Sequence, residues 1–161
     1  MTATGVPPGA VLVDTDVVSW LALGEGRAEE FGKLLVGQEL FISFVTTAEI
    51  RTLLAMNVLS ADGQAALAAP AAALAAALSD YTVLDLTLAE VISEWAKLRS
   101  STARSTTPDD RERRQKRRQN DTWIAACAPS QPVPLPVVTG NLRDSQVLAD
   151  ASALTVMHPD L

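Results

Sequence analysis

VLVDTDVVSWL, residues 11–21, places an apolar β-branched run against an acidic turn, followed by a helical pattern. Val11-Leu12-Val13 suits a strand buried on both faces. Asp14 ends it, and Val17 to Leu23 reads as a short helix stopping near Gly24. The same succession recurs outward from this stretch. Residues 27–36 make a second short helix, with Phe31, Leu34 and Leu35 on one side, and Leu40 to Val45 is the next strand. Thr46-Thr47-Ala48-Glu49 matches a capping box that opens a helix through Ile50, Leu53 and Leu54. The alanine-rich stretch 64–78 has Leu67, Leu74 and Leu78 at helical spacing, and Pro70 either kinks it or begins a new helix.

Further on, Tyr81 to Leu86 alternates like a strand, and 88–98 returns to helical spacing through Val91, Ile92 and Trp95. Thr107-Pro108-Asp109-Asp110 is a helix start, with a cap, a proline in the first turn and acids at the positive end of the dipole. That helix is expected to run to about Ala128. PSQPVPLP, 129–136, is a linker; a strand begins at Val137, Asn141 caps a short helix, and Ala153 to Met157 is a last strand. Alternating strands and helices predict an α/β fold, a parallel sheet with helices on both faces.

The 161 residues suggest one domain, 1–161, with a flexible N-terminus over 1–9 and a mobile Ser/Thr-rich loop over 100–110. Hydrophobic residues at 48% are enough for a core, so disorder is not the default. No apolar run reaches the roughly 18 residues needed to span a bilayer. MTATGVPPGA lacks the charged and apolar regions of a secretory leader, and Cys127 has no partner for a disulfide. A cytoplasmic protein with no membrane contact is expected. The net charge of -6 is uneven: RERRQKRR at 111–118 carries six basic residues against one acidic. An acidic body therefore carries one concentrated basic strip.

In an open parallel sheet the loops after the strands gather at one edge, where ligands bind. Asp14 directly follows the first strand, Glu49 lies in the helical turn after the second, and Asp144 follows the strand begun at Val137. Asp121 joins them if its helix lies alongside. Gathered carboxylates raise one another's pKa values, and a divalent cation relieves that repulsion. All-oxygen donors select a hard ion, Mg²⁺ or Mn²⁺, and phosphodiester hydrolysis is the chemistry that suits it. Each acid also has a structural reading. Asp14 caps a helix, Glu49 completes the capping box, Asp121 pairs with Arg117 or Arg118, and Asp144 is a solvated helix-start acid. Singly these readings are the better ones; the joint placement at matching strand ends favours a site.

Four segments together resemble the PIN-domain nuclease family: VLVDTDVVSWL at 11–21, ISFVTTAEIRTL at 42–53, NDTWIAACA at 120–128 and VVTGNLRDSQVL at 137–148. The resemblance covers almost the whole chain in order. It implies a three-layer α/β/α domain and Mg²⁺- or Mn²⁺-dependent cleavage of RNA, with Asp14, Glu49, Asp121 and Asp144 as catalytic and metal-binding residues. Thr139 and Asn141 match the fourth segment and are candidates for substrate contact, although a turn residue and a helix cap explain them too. Small single-domain bacterial members are most often VapC-type toxins, which implies a cognate antitoxin and a homodimer. A catalytically silent binding or regulatory module of the same fold is the competing reading. Two departures stand out: Asp16 where many members have Asn, and Ser145 where Phe is frequent.

If 108–128 is helical, its basic strip ends one turn before Asp121. Arg113, Arg114 and Lys116 would then guide an RNA backbone toward the acids, unless the strip is a solvated face or binds an acidic partner. Residues 50–78 have more apolar surface than a small core needs and are expected to meet an antitoxin helix or a second subunit. Trp20, Trp95 and Trp123 read as core or interface residues, Cys127 as helix packing, and His158 as a residue with no role.

Overall fold

A computed structural model describes residues 9–59, 64–102, 119–150, 152 and 154–161. The basic strip, most of the 100–110 segment and nearly all of 1–9 lie outside the described residues.

Five strands form one parallel sheet: β1 Ala10–Val13, β2 Glu39–Ile42, β3 Thr82–Val83, β4 Val137–Val138 and β5 Val156–Met157, in the order β3-β2-β1-β4-β5. Helices α1 Thr15–Leu23, α2 Ala28–Leu34, α3 Phe44–Leu59 and α4 Gln64–Ala77 come from the first half. Helices α5 Leu88–Thr102, α6 Gln119–Cys127 and α7 Leu142–Asp150 come from the second. The pleat of the central strand divides the core between them. Val11 and Val13 pack with Val17, Val18, Phe31, Ile50 and Leu74 on one face, while Ala10 and Leu12 pack with Val91, Leu98, Ile124 and Leu148 on the other. Successive side chains point to opposite faces of a strand, so β1, buried throughout, requires two cores. The result is three layers, α/β/α.

Several boundaries differ from those expected. β2 ends at Ile42, and α3 starts at Phe44 rather than Thr46. The cap is Ser43: its fully buried hydroxyl accepts from the Thr46 N–H at 3.0 Å, and its carbonyl accepts from Thr47 N. The expected capping box is thus displaced, and Glu49 falls in the second turn, where it caps nothing. β3 is shorter than 81–86 because the chain leaves the sheet after Val83, and Leu84 and Leu86 turn into the core shared with α5. Pro70 sits inside α4 and starts no new helix. Helix α5 continues to Thr102, so the start of the expected mobile loop is helical. Trp95 and Trp123 stack between α5 and α6 with ring centroids 4.8 Å apart. Cys127 is fully buried, its thiol pushed up to about 12 by desolvation, which leaves it packing rather than reactive.

Candidate functional site

The chain builds the sheet outward from β1, first to β2 and β3, then across to β4 and β5, so the strand order reverses between β1 and β4. The carboxyl ends of these two strands border the crevice where such sheets bind ligands. Asp14 ends β1 there, and its backbone N–H donates to Val138 O at 2.9 Å, tying it to the end of β4. As N-cap of α1, Asp14 accepts from Thr15 N through Oδ1 at 2.6 Å. Its other oxygen accepts from the Thr139 hydroxyl at 2.8 Å. Thr139 is itself 1% exposed and accepts from Asn141 N at 3.1 Å. The threonine hydroxyl thus holds the Asp14 carboxylate.

Asn141 links two more acids. Its Nδ2 donates to Asp144 Oδ2 at 3.0 Å and to Asp121 Oδ2 at 3.2 Å. Its Oδ1 also accepts from Asp144 N at 3.4 Å, so the expected cap of α7 and the bridge between acids are one side chain. Glu49 is held from both sides, accepting from Thr15 Oγ1 and from Asn120 Nδ2. The neighbours of Asp14 and Asp121 thus orient the glutamate from α3.

The electrostatics bear the mark of this crowding. Asp14 is 6% exposed and its carboxyl is pushed up to about 7, chiefly by desolvation, with Asp121 and Asp16 adding repulsion against the Thr139 hydrogen bond. Asp121 is pushed up to about 6, again first by desolvation, then by Asp144, Asp16 and Glu49 against the bond from Asn141. Asp16 is raised by desolvation and by Glu49. All four predicted acids therefore meet at one crevice, with Asp16 as a fifth. Among the described residues no positive charge offsets Asp14 or Asp121. As the side chains lie, however, no three of the described acids, histidines or cysteines are disposed to hold one ion together. The oxygens face hydroxyl and amide donors of the protein instead of a common centre.

A family model for the PIN domain matches residues 11–141, from β1 to the Asn141 turn and ending just before the helix that carries Asp144. The chain belongs to the PIN-domain family. PIN domains are generally nucleases. Solved structures share the fold at low identity. VapBC2 from Rickettsia felis bound to a promoter DNA fragment superposes with a TM-score of 0.60 at 15% identity, covering 92% of this chain and 98% of that one. DNA-bound VapBC from Salmonella typhimurium gives 0.59 at 21%, covering 93% and 98%. FitAcB from Neisseria gonorrhoeae gives 0.56 at 19%, covering 92% and 97%. A search of curated proteins by sequence finds no significant match. Among the described residues no helix of this PIN domain is long and apolar enough to cross a membrane.

Sequence reasoning missed Thr15 and Asn120, which fix Glu49. Their signal was adjacency: each sits beside a predicted acid, and a short polar residue in that place is easily read as part of a cap. The sequence also left His158 without a role. It is buried, with its ring edge against Phe31 at 5.4 Å between centroids and its Nδ1 accepting from Asp160 N. Arg27 grips Asp160 at 2.7 and 2.8 Å, so the C-terminal tail is pinned to α2.

Proposed function

We propose that this PIN domain is an endoribonuclease dependent on Mg²⁺ or Mn²⁺, acting as the toxin of a toxin–antitoxin pair. The observation that carries the reading is the set of carboxylates at the switch point, two of them raised to about 7 and about 6 with no described cation beside them. Burying like charges is costly, and such a site is stabilised by binding a cation. Oxygen-only donors suit a hard ion. Asp14, Glu49, Asp121 and Asp144 would hold it through lone pairs that their protein donors leave free. When bound, the ion supplies charge to steady the phosphate and acidity to an attacking water. Thr139, Asn141, Thr15 and Asn120 hold the carboxylates in place, so that little reorganisation accompanies the reaction.

The silent-module reading draws on one observation, that no three described carboxylates converge as they lie. Incubating single-stranded RNA with the purified chain separates the two readings. Cleavage that requires added Mg²⁺ or Mn²⁺ and stops with chelator supports the enzyme. No cleavage under any divalent ion, with RNA or partner binding intact, supports the silent module.

The VapBC structures that share this fold support an antitoxin partner, and a second copy of the chain is the other expected companion. Leu53 and Met56, one turn apart on α3, are 45% and 63% exposed and supply apolar surface for either. The basic strip is proposed, on sequence alone, to guide RNA. Replacing Arg113, Arg114 and Lys116 with Gln is expected to weaken RNA binding and flatten its log–log salt dependence by roughly 2, since each phosphate neutralised on a single strand releases about 0.7 counterion. The cut site should not move. An unchanged slope with weakened antitoxin binding would instead assign the strip to the partner.

A further inference from the structure

The turn Thr139-Gly140-Asn141 carries the hydrogen bonds that organise three of the acids: Thr139 to Asp14, and Asn141 to Asp121 and Asp144. What holds the turn itself is visible at Gly140. This glycine has no positive φ, so its backbone does not demand glycine. Space does. A Cβ built there would lie 2.5 Å from Cη2 and 2.7 Å from Cζ3 of Trp20, closer than real side chains approach. The benzene edge of the indole therefore rests directly on the backbone of the turn.

The partly buried indole has further contacts as well. At Gly26, where φ is +56°, a Cβ would lie 2.8 Å from the pyrrole edge of Trp20. Phe31 packs against the ring at 5.6 Å between centroids, and His158 meets Phe31 edge to face at 5.4 Å. The Trp20 carbonyl accepts from the N–H groups of Gly24 and Glu25, closing α1 in place. Helix α1 thus carries Asp14 at its start and, in its second turn, a wedged aromatic plate that sets where the 139–141 turn can lie relative to Asp14.

We propose that Trp20 is a positioning residue for the acid cluster: through Gly140 it fixes the turn whose Thr139 and Asn141 orient Asp14, Asp121 and Asp144. Its consequence for catalysis rests on the metal-dependent reading above. Ordinary core packing would require only an apolar group of similar volume. Positioning requires that the contact with Gly140 be kept.

Two variants attack the contact from opposite sides. Trp20→Phe withdraws the plate while leaving an aromatic in the core; Gly140→Ala forces the turn off an unchanged indole. Each is first confirmed folded by circular dichroism and a cooperative melt. Mn²⁺ affinity by calorimetry is expected to fall about 10-fold or more in both, the loss typical of disturbing residues that orient metal ligands. The RNA cleavage kcat should fall with it, while KM for RNA stays near wild type. In metal-free protein the side-chain amide resonances of Asn141 should shift in both variants. Combining Gly140→Ala with Trp20→Leu, which restores room, should recover part of the Mn²⁺ affinity lost in Gly140→Ala alone. Wild-type Mn²⁺ affinity and unshifted Asn141 resonances in both folded variants would overturn the proposal. Failure of the wild type to bind Mn²⁺ would overturn the metal reading instead, and the Asn141 resonances would still decide the role of Trp20.

Discussion

Asp14→Asn is expected to abolish RNA cleavage while making the metal-free protein more stable. Both effects come from one oxygen. Asp14 sits between β1 and β4, 6% exposed, with Thr15 N on one side and the Thr139 hydroxyl on the other. An amide is nearly isosteric, keeps an oxygen for Thr15 N, and meets a hydroxyl that can accept as well as donate. The backbone has no reason to move. The amide cannot carry the negative charge that a hard cation requires, and polarisation by such an ion is worth several kcal/mol, so a loss of at least roughly 10³-fold in kcat/KM is expected. Above neutral pH the ionised Asp14 costs on the order of 4 kcal/mol, from a shift of 3.8 to about 7 at 1.36 kcal/mol per unit. Removing it should raise stability by about 2–3 kcal/mol after some loss in the hydrogen bond with Thr139. Chelator-treated wild type and variant compared by urea melts at pH 8 provide the measurement. A variant that cleaves RNA normally removes Asp14 from the site; one that is inactive but less stable than wild type makes it a structural cap.

The fold was legible because its strands are buried on both faces. A run such as Val11-Leu12-Val13 has no polar side to offer solvent, and its alternation with amphipathic helices leaves a covered parallel sheet as the consistent arrangement. The strand order was less legible, since β1 pairing with β4 is a contact between residues about 125 apart. The acids were legible as a set, because strand ends and helix starts are where a parallel sheet exposes ligands. Their orientation was not. Glu49 looked like the last member of a capping box, and only the cap at Ser43, three residues upstream of Thr46, releases it toward Thr15 and Asn120. Trp20 offered an apolar residue at helical spacing and nothing more. Its meeting with Gly140 depends on the α1 axis and on the path of a turn far along the chain, and neither is written in local spacing.

In metal-free buffer the protein should lose stability as pH rises from about 4 to about 7, against the usual behaviour of paired carboxylates. The unfolded Asp14 ionises near 3.8 and the folded one near 7, so between these values the native state holds a proton that the unfolded chain has released. Stability falls wherever the native state binds more protons, and the loss is complete above the folded value. Asp121, raised to about 6 and half-buried, adds a smaller loss of the same sign over pH 4 to 6. Because the two repel each other, the observed steps belong to the pair. Glu30 and Asp160, held below their ordinary values by Arg27, work in the opposite sense and only at the acid end. Saturating Mn²⁺ should cancel the decline, since an ion that binds the ionised native site stabilises it increasingly as the protons leave. Urea melts from pH 4.5 to 8.5, with chelator and with Mn²⁺, should give curves that diverge with pH. In Asp14→Asn most of the metal-free slope and most of the Mn²⁺ effect should vanish together. Equal slopes in wild type and variant would mean that Asp14 ionises as an ordinary surface carboxylate, and the electrostatic case for a cation at this crevice would go with it.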